Sequence, residues 1–340
     1  MIKQSKKILV IRCGLLGDTV DATSVIDPLI DIYGSDIEIH WVSKPFISEL
    51  FKYDKRVTKV FELKHTKLPF LFNFEKFKII ANAVLNPYDL ILNLEIGAKF
   101  NDIVRYTRAY NKIGMPINYI PDDIFEEHRV SHQLRILDSF NSAYKKEKAI
   151  PSIIGININS IKKKFPIDRP YIVLCPTNSH VENKNHRGYR SWPEENWKNL
   201  IQKILDETSL NILLVGSKDE KKYFKIFYPL DERVHDISGM TDIPELISIM
   251  KESKCVVATD SGSAHIAGAS AKNIISIHGP TNSYQSSPYK TQNNIVKIAS
   301  LNLECSPCYD TEVIKNCKKN ICMYSLGSDL VFNMIEDFNL

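Results

Sequence analysis

The sequence has no apolar stretch approaching the ~18 residues of a membrane-spanning helix. Its first residues, MIKQSKKILVIRCG, offer too short an apolar core for a secretory leader and no small-residue cleavage site. The expected compartment is therefore cytoplasmic. A large charge of either sign is also missing: 44 basic and 40 acidic residues leave a net +4, spread evenly along the chain. A dedicated nucleic-acid binder concentrates a basic excess, so no nucleic-acid partner is expected. There is no short-period repeat. The seven cysteines are odd in number and are not distributed like a secreted disulfide scaffold. Cys13, Cys175 and Cys255 sit singly in or beside apolar runs, and the other four crowd into 305–322. What is present is ordinary globular material, 44% hydrophobic and 25% charged over 340 residues, enough for two domains.

The pattern along the chain is strand, turn, helix, repeated. Ile8–Ile11 is a continuous apolar run, followed by a glycine turn and a helical stretch from Thr19 to about Tyr33. A buried strand feeding a helix in this way opens a βαβ unit. Further strands are expected at Ile37–Val42, Val57–Leu63 and Leu90–Leu94. The segment from Tyr144 to Pro170, with KKEK and a second lysine run, marks a boundary. Domains are expected at 1–160 and 161–340, the second carrying the Cys-rich segment and a C-terminal helix over Leu326–Phe338. The second cycle has strands at Tyr171–Cys175, Asn211–Val215, Cys255–Ala258 and Ile274–His278, with helices over Trp192–Asp206 and Ile243–Ser253. Alternation of this kind predicts an α/β fold with two parallel sheets and a cleft between the halves. Ligands of such sheets bind beyond the carboxyl ends of the strands, where the polar motifs cluster.

In the first motif, Arg12-Cys-Gly14-Leu-Leu-Gly17-Asp18, the glycines allow a sharp turn and the helix start favours anions. It is neither GxGxxG nor a P-loop. Asp18 has two readings here, a helix N-cap or a general base. The second motif, Thr259-Asp260-Ser261-Gly262-Ser263-Ala264-His265, follows a strand with hydroxyls and a helix start, an arrangement that suits a phosphate. Its alternative reading is a well-capped helix with a partly buried histidine. Thr177 and Asn178 follow another strand and lead through the basic stretch Ser179–Tyr189, with Lys184 and Arg187, to Arg190. This loop closes over a diphosphate or is simply a solvated surface. Ser217 and Glu220 follow the strand at 211–215, where a carboxylate can accept from ribose hydroxyls or serve as a first-turn helix acid.

The fifth motif is Cys305, Cys308, Cys317 and Cys322, spaced C-x2-C-x8-C-x4-C. Four thiolates suit a tetrahedral zinc or iron site with a structural role; two disulfides or free thiols are the alternatives.

Taken together, these segments resemble the heptosyltransferase family, glycosyltransferase family 9. The resemblance is carried by KKILVIRCGLLGDTVDATSVIDPL, RSWPEENWKNLI, NILLVGSKDE and ISGMTDIPELISIMKESKCVVATDSGSAHIAGASAKNIISIHGPTN, in family order. It implies a GT-B fold of two Rossmann-like domains, the first binding the acceptor and the second the nucleotide sugar. It also implies an inverting transfer of heptose from ADP-heptose to a lipopolysaccharide inner-core acceptor, by an enzyme located in the cytoplasm or peripherally on the inner membrane. Asp18 matches the family's catalytic base. Asp260, Ser261, Gly262 and His265 match the loop around diphosphate and sugar. Glu220 matches an acid near the ribose, with Ser217 beside it, and Thr177 and Asn178 fall near the pyrophosphate. Arg190 stands where many members carry a lysine. Gly14, Gly17 and Lys99 fall on the acceptor side. No metal is expected in the chemistry, and no DxD motif is suitably placed. The four-cysteine tail is similar to that of iron-containing members that glycosylate autotransporter proteins, which implies a protein acceptor, or another nucleotide sugar, as a second option. A non-catalytic nucleotide- or metal-binding module is a third.

Overall fold

The computed structural model describes residues 5–65, 67–118, 127–178, 186–309 and 311–340. It divides into two units, Met1–Ile154 and Gly155–Leu340.

Unit 1 contains a five-stranded parallel sheet: β1 (Lys7–Ile11), β2 (Glu38–Ser43), β3 (Val57–Glu62), β4 (Tyr88–Asn93) and β5 (Ala109–Gly114), ordered β3-β2-β1-β4-β5. Every residue of β1 is buried, as expected of a strand covered on both faces. Its helices are α1 (Leu16–Ala22), α2 (Ile26–Tyr33), α3 (Phe74–Asn82), α4 (Asn101–Tyr106) and α5 (Arg129–Asp138). The single helix expected from Thr19 to Tyr33 is two, separated by a 3-10 turn at Thr23–Val25. Pro28 explains the break. It has no N–H to donate to the carbonyl four residues back, so the chain restarts with the proline in a first turn, where that loss is harmless.

Unit 2 contains a six-stranded parallel sheet: β6 (Tyr171–Cys175), β7 (Asn211–Leu214), β8 (Val234–Asp236), β9 (Cys255–Thr259), β10 (Asn273–Ile277) and β11 (Ile295–Ala299), ordered β11-β10-β9-β6-β7-β8. Its main helices are α6 (Glu194–Glu207), α7 (Ile243–Glu252) and α8 (Gly262–Ser270), with a C-terminal helix at Ser328–Glu336. The start of α7 is set by a reciprocal cap, in which Asp242 accepts from the Glu245 N–H at 2.8 Å and Glu245 accepts from that of Asp242 at 3.0 Å. The core gathers Trp192 and Trp197, edge to face at 4.9 Å, with strand residues such as Ile172, Leu214 and Val257.

β5, β8 and β11 carry no expected counterpart. All three are edge strands with a solvated face, so they lack the unbroken apolar run that betrays a central strand. In both sheets the chain builds outward on one side of its first strand, then returns to build on the other. The reversal falls between β1 and β4 in unit 1, and between β6 and β9 in unit 2. Ligands of doubly wound sheets bind beyond the strand ends at that reversal.

Candidate functional site

In unit 1 the reversal is built from Arg12, Cys13 and Gly14 after β1, from Glu95 after β4, and from the first turn of α1. Asp18 stands at the third position of α1, with Leu15 at the N-cap, and its two oxygens have different partners. Oδ2 accepts from the backbone N–H of Leu15 at 3.2 Å. Oδ1 lies 3.0 Å from Nη1 of Arg129 and 3.3 Å from Nη2 of Arg12. Arg12 also donates to the Leu94 carbonyl at 3.0 Å, and Glu95 accepts from the Cys13 N–H at 2.6 Å. These contacts tie the ends of β1 and β4 together. A Cβ on Gly14 would stand 3.0 Å from Oδ2 of Asp18, so the bare glycine is what lets the carboxylate fold back onto its own helix start. Gly17 is buried within α1. Asp18 keeps a fifth of its side chain exposed, so a hydroxyl can reach it. Lys99 lies elsewhere, exposed on a 3-10 turn before α4, with its carbonyl held by Lys76.

Burial and the nearby Glu95 push the Cys13 thiol up to about 12, which removes it as a nucleophile. Burial likewise pushes up the Cys175 and Cys255 thiols. The three single cysteines are free and buried.

In unit 2 two groups of the expected residues meet the reversal point. Beside β6 and β7, Glu220 accepts from the Thr177 hydroxyl at 3.1 Å and from the Ser217 N–H at 2.8 Å. Asn178, next along, donates to the Ser191 hydroxyl at 3.1 Å. Beside β9, Asp260 is buried, with Nη1 of Arg190 3.6 Å from Oδ2. Burial by itself would raise the Asp260 carboxyl. Its neighbours His278, Arg190 and His265, with a hydrogen bond from Thr281, outweigh that and hold it below the ordinary carboxylate value. Burial holds the His278 ring below its usual value against the pull of Asp260.

Gly262 begins α8 and His265 is buried in its first turn. Ser261 occupies the N-cap but makes no side-chain cap, and its buried hydroxyl has no hydrogen-bond partner among the described residues. A helix N-terminus, a hydroxyl directed away from capping, a guanidinium and buried imidazoles form an anion-binding arrangement. Of the basic stretch 179–189, residues 179–185 lie outside the described residues.

Several residues were not singled out from sequence. Arg129 belongs to α5 and reaches Asp18 across 111 positions, a pairing that no local motif signals. Arg12 and His278 each sit one residue beyond a strand. That position was the available signal.

The Cys-rich segment packs beside the same point. The Cys308 N–H donates to the Pro280 carbonyl at 2.8 Å, and the Tyr189 hydroxyl donates to the Cys317 carbonyl at 2.8 Å. The Arg190 guanidinium lies over the Tyr309 ring, 5.2 Å from its centre. Burial pushes the Cys322 thiol up to about 11, and the thiols of Cys308, Cys317 and Cys305 add to the rise. The four thiols are thus near enough to influence one another electrostatically. Among the described residues, however, no three ligating side chains are gathered into a metal-holding group.

Comparison with known proteins matches residues 121–319 to glycosyltransferase family 9 (heptosyltransferase). Lipopolysaccharide heptosyltransferase 1 of Campylobacter coli is 23% identical over 361 residues, covering 97% of this chain and 98% of that protein. A 135-residue match to lipooligosaccharide heptosyltransferase 2 of Haemophilus influenzae is 25% identical and spans 38% of this chain and 37% of that protein. Among solved structures, the ADP-heptose lps heptosyltransferase II of E. coli superposes with a TM-score of 0.75 at 15% identity, covering 98% of each chain. The iron-containing dodecameric glycosyltransferase TibC of E. coli does so at 0.61 and 11% identity, covering 99% of this chain and 77% of that one. The two parallel-sheet units are those of a GT-B glycosyltransferase. The chain belongs to glycosyltransferase family 9, the heptosyltransferase family, and is a glycosyltransferase.

Proposed function

We propose that this enzyme transfers heptose from ADP-heptose to a lipopolysaccharide inner-core acceptor with inversion at the anomeric carbon. Asp18 carries the reading: its carboxylate is held at the unit 1 reversal point by Arg12 and Arg129, yet is partly exposed. In the proposed step, an acceptor hydroxyl oxygen attacks the anomeric carbon while its proton passes to Asp18. The bond from that carbon to the β-phosphate oxygen breaks, and ADP departs from the opposite face. Arg190 and the amino end of α8, with Ser261 and His265, take up the charge that develops on the leaving diphosphate. Glu220, with Thr177 and Ser217 fixed around it, receives the ribose. The enzyme works in the cytoplasm, peripherally on the inner membrane where its amphiphilic acceptor resides.

The test is turnover of ADP-heptose with a panel of truncated lipopolysaccharide cores. Wild-type protein is expected to transfer and Asp18→Asn to fail. Transfer by Asp18→Asn at the wild-type rate removes the base assignment. Failure of wild type on every nucleotide sugar removes the reading as a whole.

A second reading, a protein acceptor or another nucleotide sugar, rests on the four-cysteine segment alone. Under either reading zinc or iron at Cys305, Cys308, Cys317 and Cys322 would have a structural role, because four protein ligands leave no open position. Elemental analysis of wild type and of Cys305→Ser/Cys308→Ser tests this; metal-free, fully active wild type removes it.

A further inference from the structure

Helix α3 is inside out. Its buried positions are Lys76, Ile79 and the following Ala83, while Phe74 and Phe77 face solvent, 69% and 53% exposed. The buried lysine is fully paired: its ammonium donates to both oxygens of Asp102, at 3.0 and 2.9 Å, and to the Lys99 carbonyl at 2.8 Å. The helix is also firmly started, with Asn73 accepting from the Lys76 N–H at 3.0 Å and donating to the His65 carbonyl at 2.6 Å. The exposed aromatics are thus presented by an anchored element.

The turn leading into α3 adds Leu71 and Phe72, 74% and 78% exposed. Clustered large apolar side chains of this kind are uncommon on a monomer's free surface and mark contact with another phase or molecule. Lysines accompany the cluster: exposed Lys64 and Lys67 precede it in the chain, and Lys78 lies over the Phe74 ring at 4.5 Å. Glu62 and Glu75 are the acids nearest in sequence. An open groove of about 680 Å³, lined by Phe74 and Phe77, by Lys59, Lys64 and Lys78 and by the acids Glu62 and Glu75, deepens the patch.

We infer that this face of unit 1 docks the enzyme onto an anionic phospholipid bilayer. Aromatic and leucine side chains enter the acyl boundary, and the neighbouring lysines lie at the level of the headgroup phosphates. Aromatic side chains beside exposed lysines complement an anionic lipid interface, where rings sit at headgroup level. No helix among the described residues is long and apolar enough to cross a membrane, so this contact lies on the bilayer and does not span it. The inference deepens the proposed function, and rests on it only in supposing that the acceptor is met at a bilayer.

The test is co-sedimentation of the full chain with vesicles of phosphatidylglycerol and phosphatidylethanolamine, against phosphatidylcholine alone. Binding is expected to the anionic vesicles only and to weaken with salt. Phe72→Ser/Phe77→Ser and, separately, Lys67→Glu/Lys78→Glu are each expected to weaken it about tenfold or more, with unchanged thermal midpoints. Absence of wild-type binding at low salt, or both variants binding like wild type, overturns the inference. So does a dimer in light scattering that Phe72→Ser/Phe77→Ser dissolves, because the face then belongs to a second copy. Transfer to a deacylated, water-soluble acceptor should be the same in wild type and variants. If wild type fails that assay yet binds vesicles, the proposed function falls and the docking face stands.

Discussion

At the reversal point of unit 1, charge stands partly in the open. Asp18 is a fifth exposed between two guanidiniums, and Glu95 and the β1 turn frame it. At the corresponding point of unit 2 the carboxylate is Asp260, 5% exposed, enclosed by His278, His265 and Arg190, and the exposed polar surface is a helix start with hydroxyls. The strand order is shared and the chemistry is not. An accessible carboxylate can exchange a proton with a substrate. A buried one held in its charged form instead fixes the Arg190 guanidinium beside it, which with the helix start is suited to meet an anion. The sheet supplies the location, and the residues one or two positions beyond each strand decide its use.

The sharpest way to break this contrast is Asp18→Asn. Loss of a general base costs about 10²–10⁴-fold in rate, so transfer should fall by about 10³-fold with the melting midpoint preserved. Asp260→Asn should behave oppositely, unfolding more easily by about 3 kcal/mol because the largely buried Arg190 guanidinium loses its counter-charge; urea titration measures it. A variant with wild-type stability would show that Asp260 is not the organising charge. Gly14→Ala comes next. A methyl 3.0 Å from Oδ2 displaces the Asp18 carboxylate, and a misplaced base should lower kcat about tenfold with little change in stability.

A separate effect concerns acid. His40 and His132 in unit 1 are buried with pKa values lowered to about 4, from burial and neighbouring cations. An unfolded chain takes these protons near 6.5, so their contribution is full above that pH and is lost as pH falls toward 4. Each should remove up to about 2 kcal/mol between pH 7 and pH 5. Denaturant titrations at the two values check this, and His40→Gln/His132→Gln should lose correspondingly less stability between them, the remainder coming from groups such as His278.

How much of this was legible beforehand varies with locality. The buried strands β1, β6 and β9 announce themselves as apolar runs, and the α7 cap is written in Asp242-Ile-Pro-Glu245. The residues following those strands were identifiable because a strand end is where a parallel sheet binds. The edge strands β5, β8 and β11 were missed because a half-solvated strand carries polar residues. Arg129 was missed for another reason: its role depends on a contact 111 residues distant. The inverted face of α3 was also hidden, since FEKFKII reads as a mixed helix until the Lys76–Asp102 pair shows which side faces inward. The Cys segment was legible as a group of four, but its packing against Pro280 and Tyr189 was not.

The division of labour between the two reversal points is tested most directly by the dissociation constant of ADP for Asp18→Asn, measured by calorimetry on protein whose transfer rate has been determined. The account predicts binding within about twofold of wild type alongside the ~10³-fold loss of transfer. ADP binding lost together with transfer, or transfer retained, would contradict it.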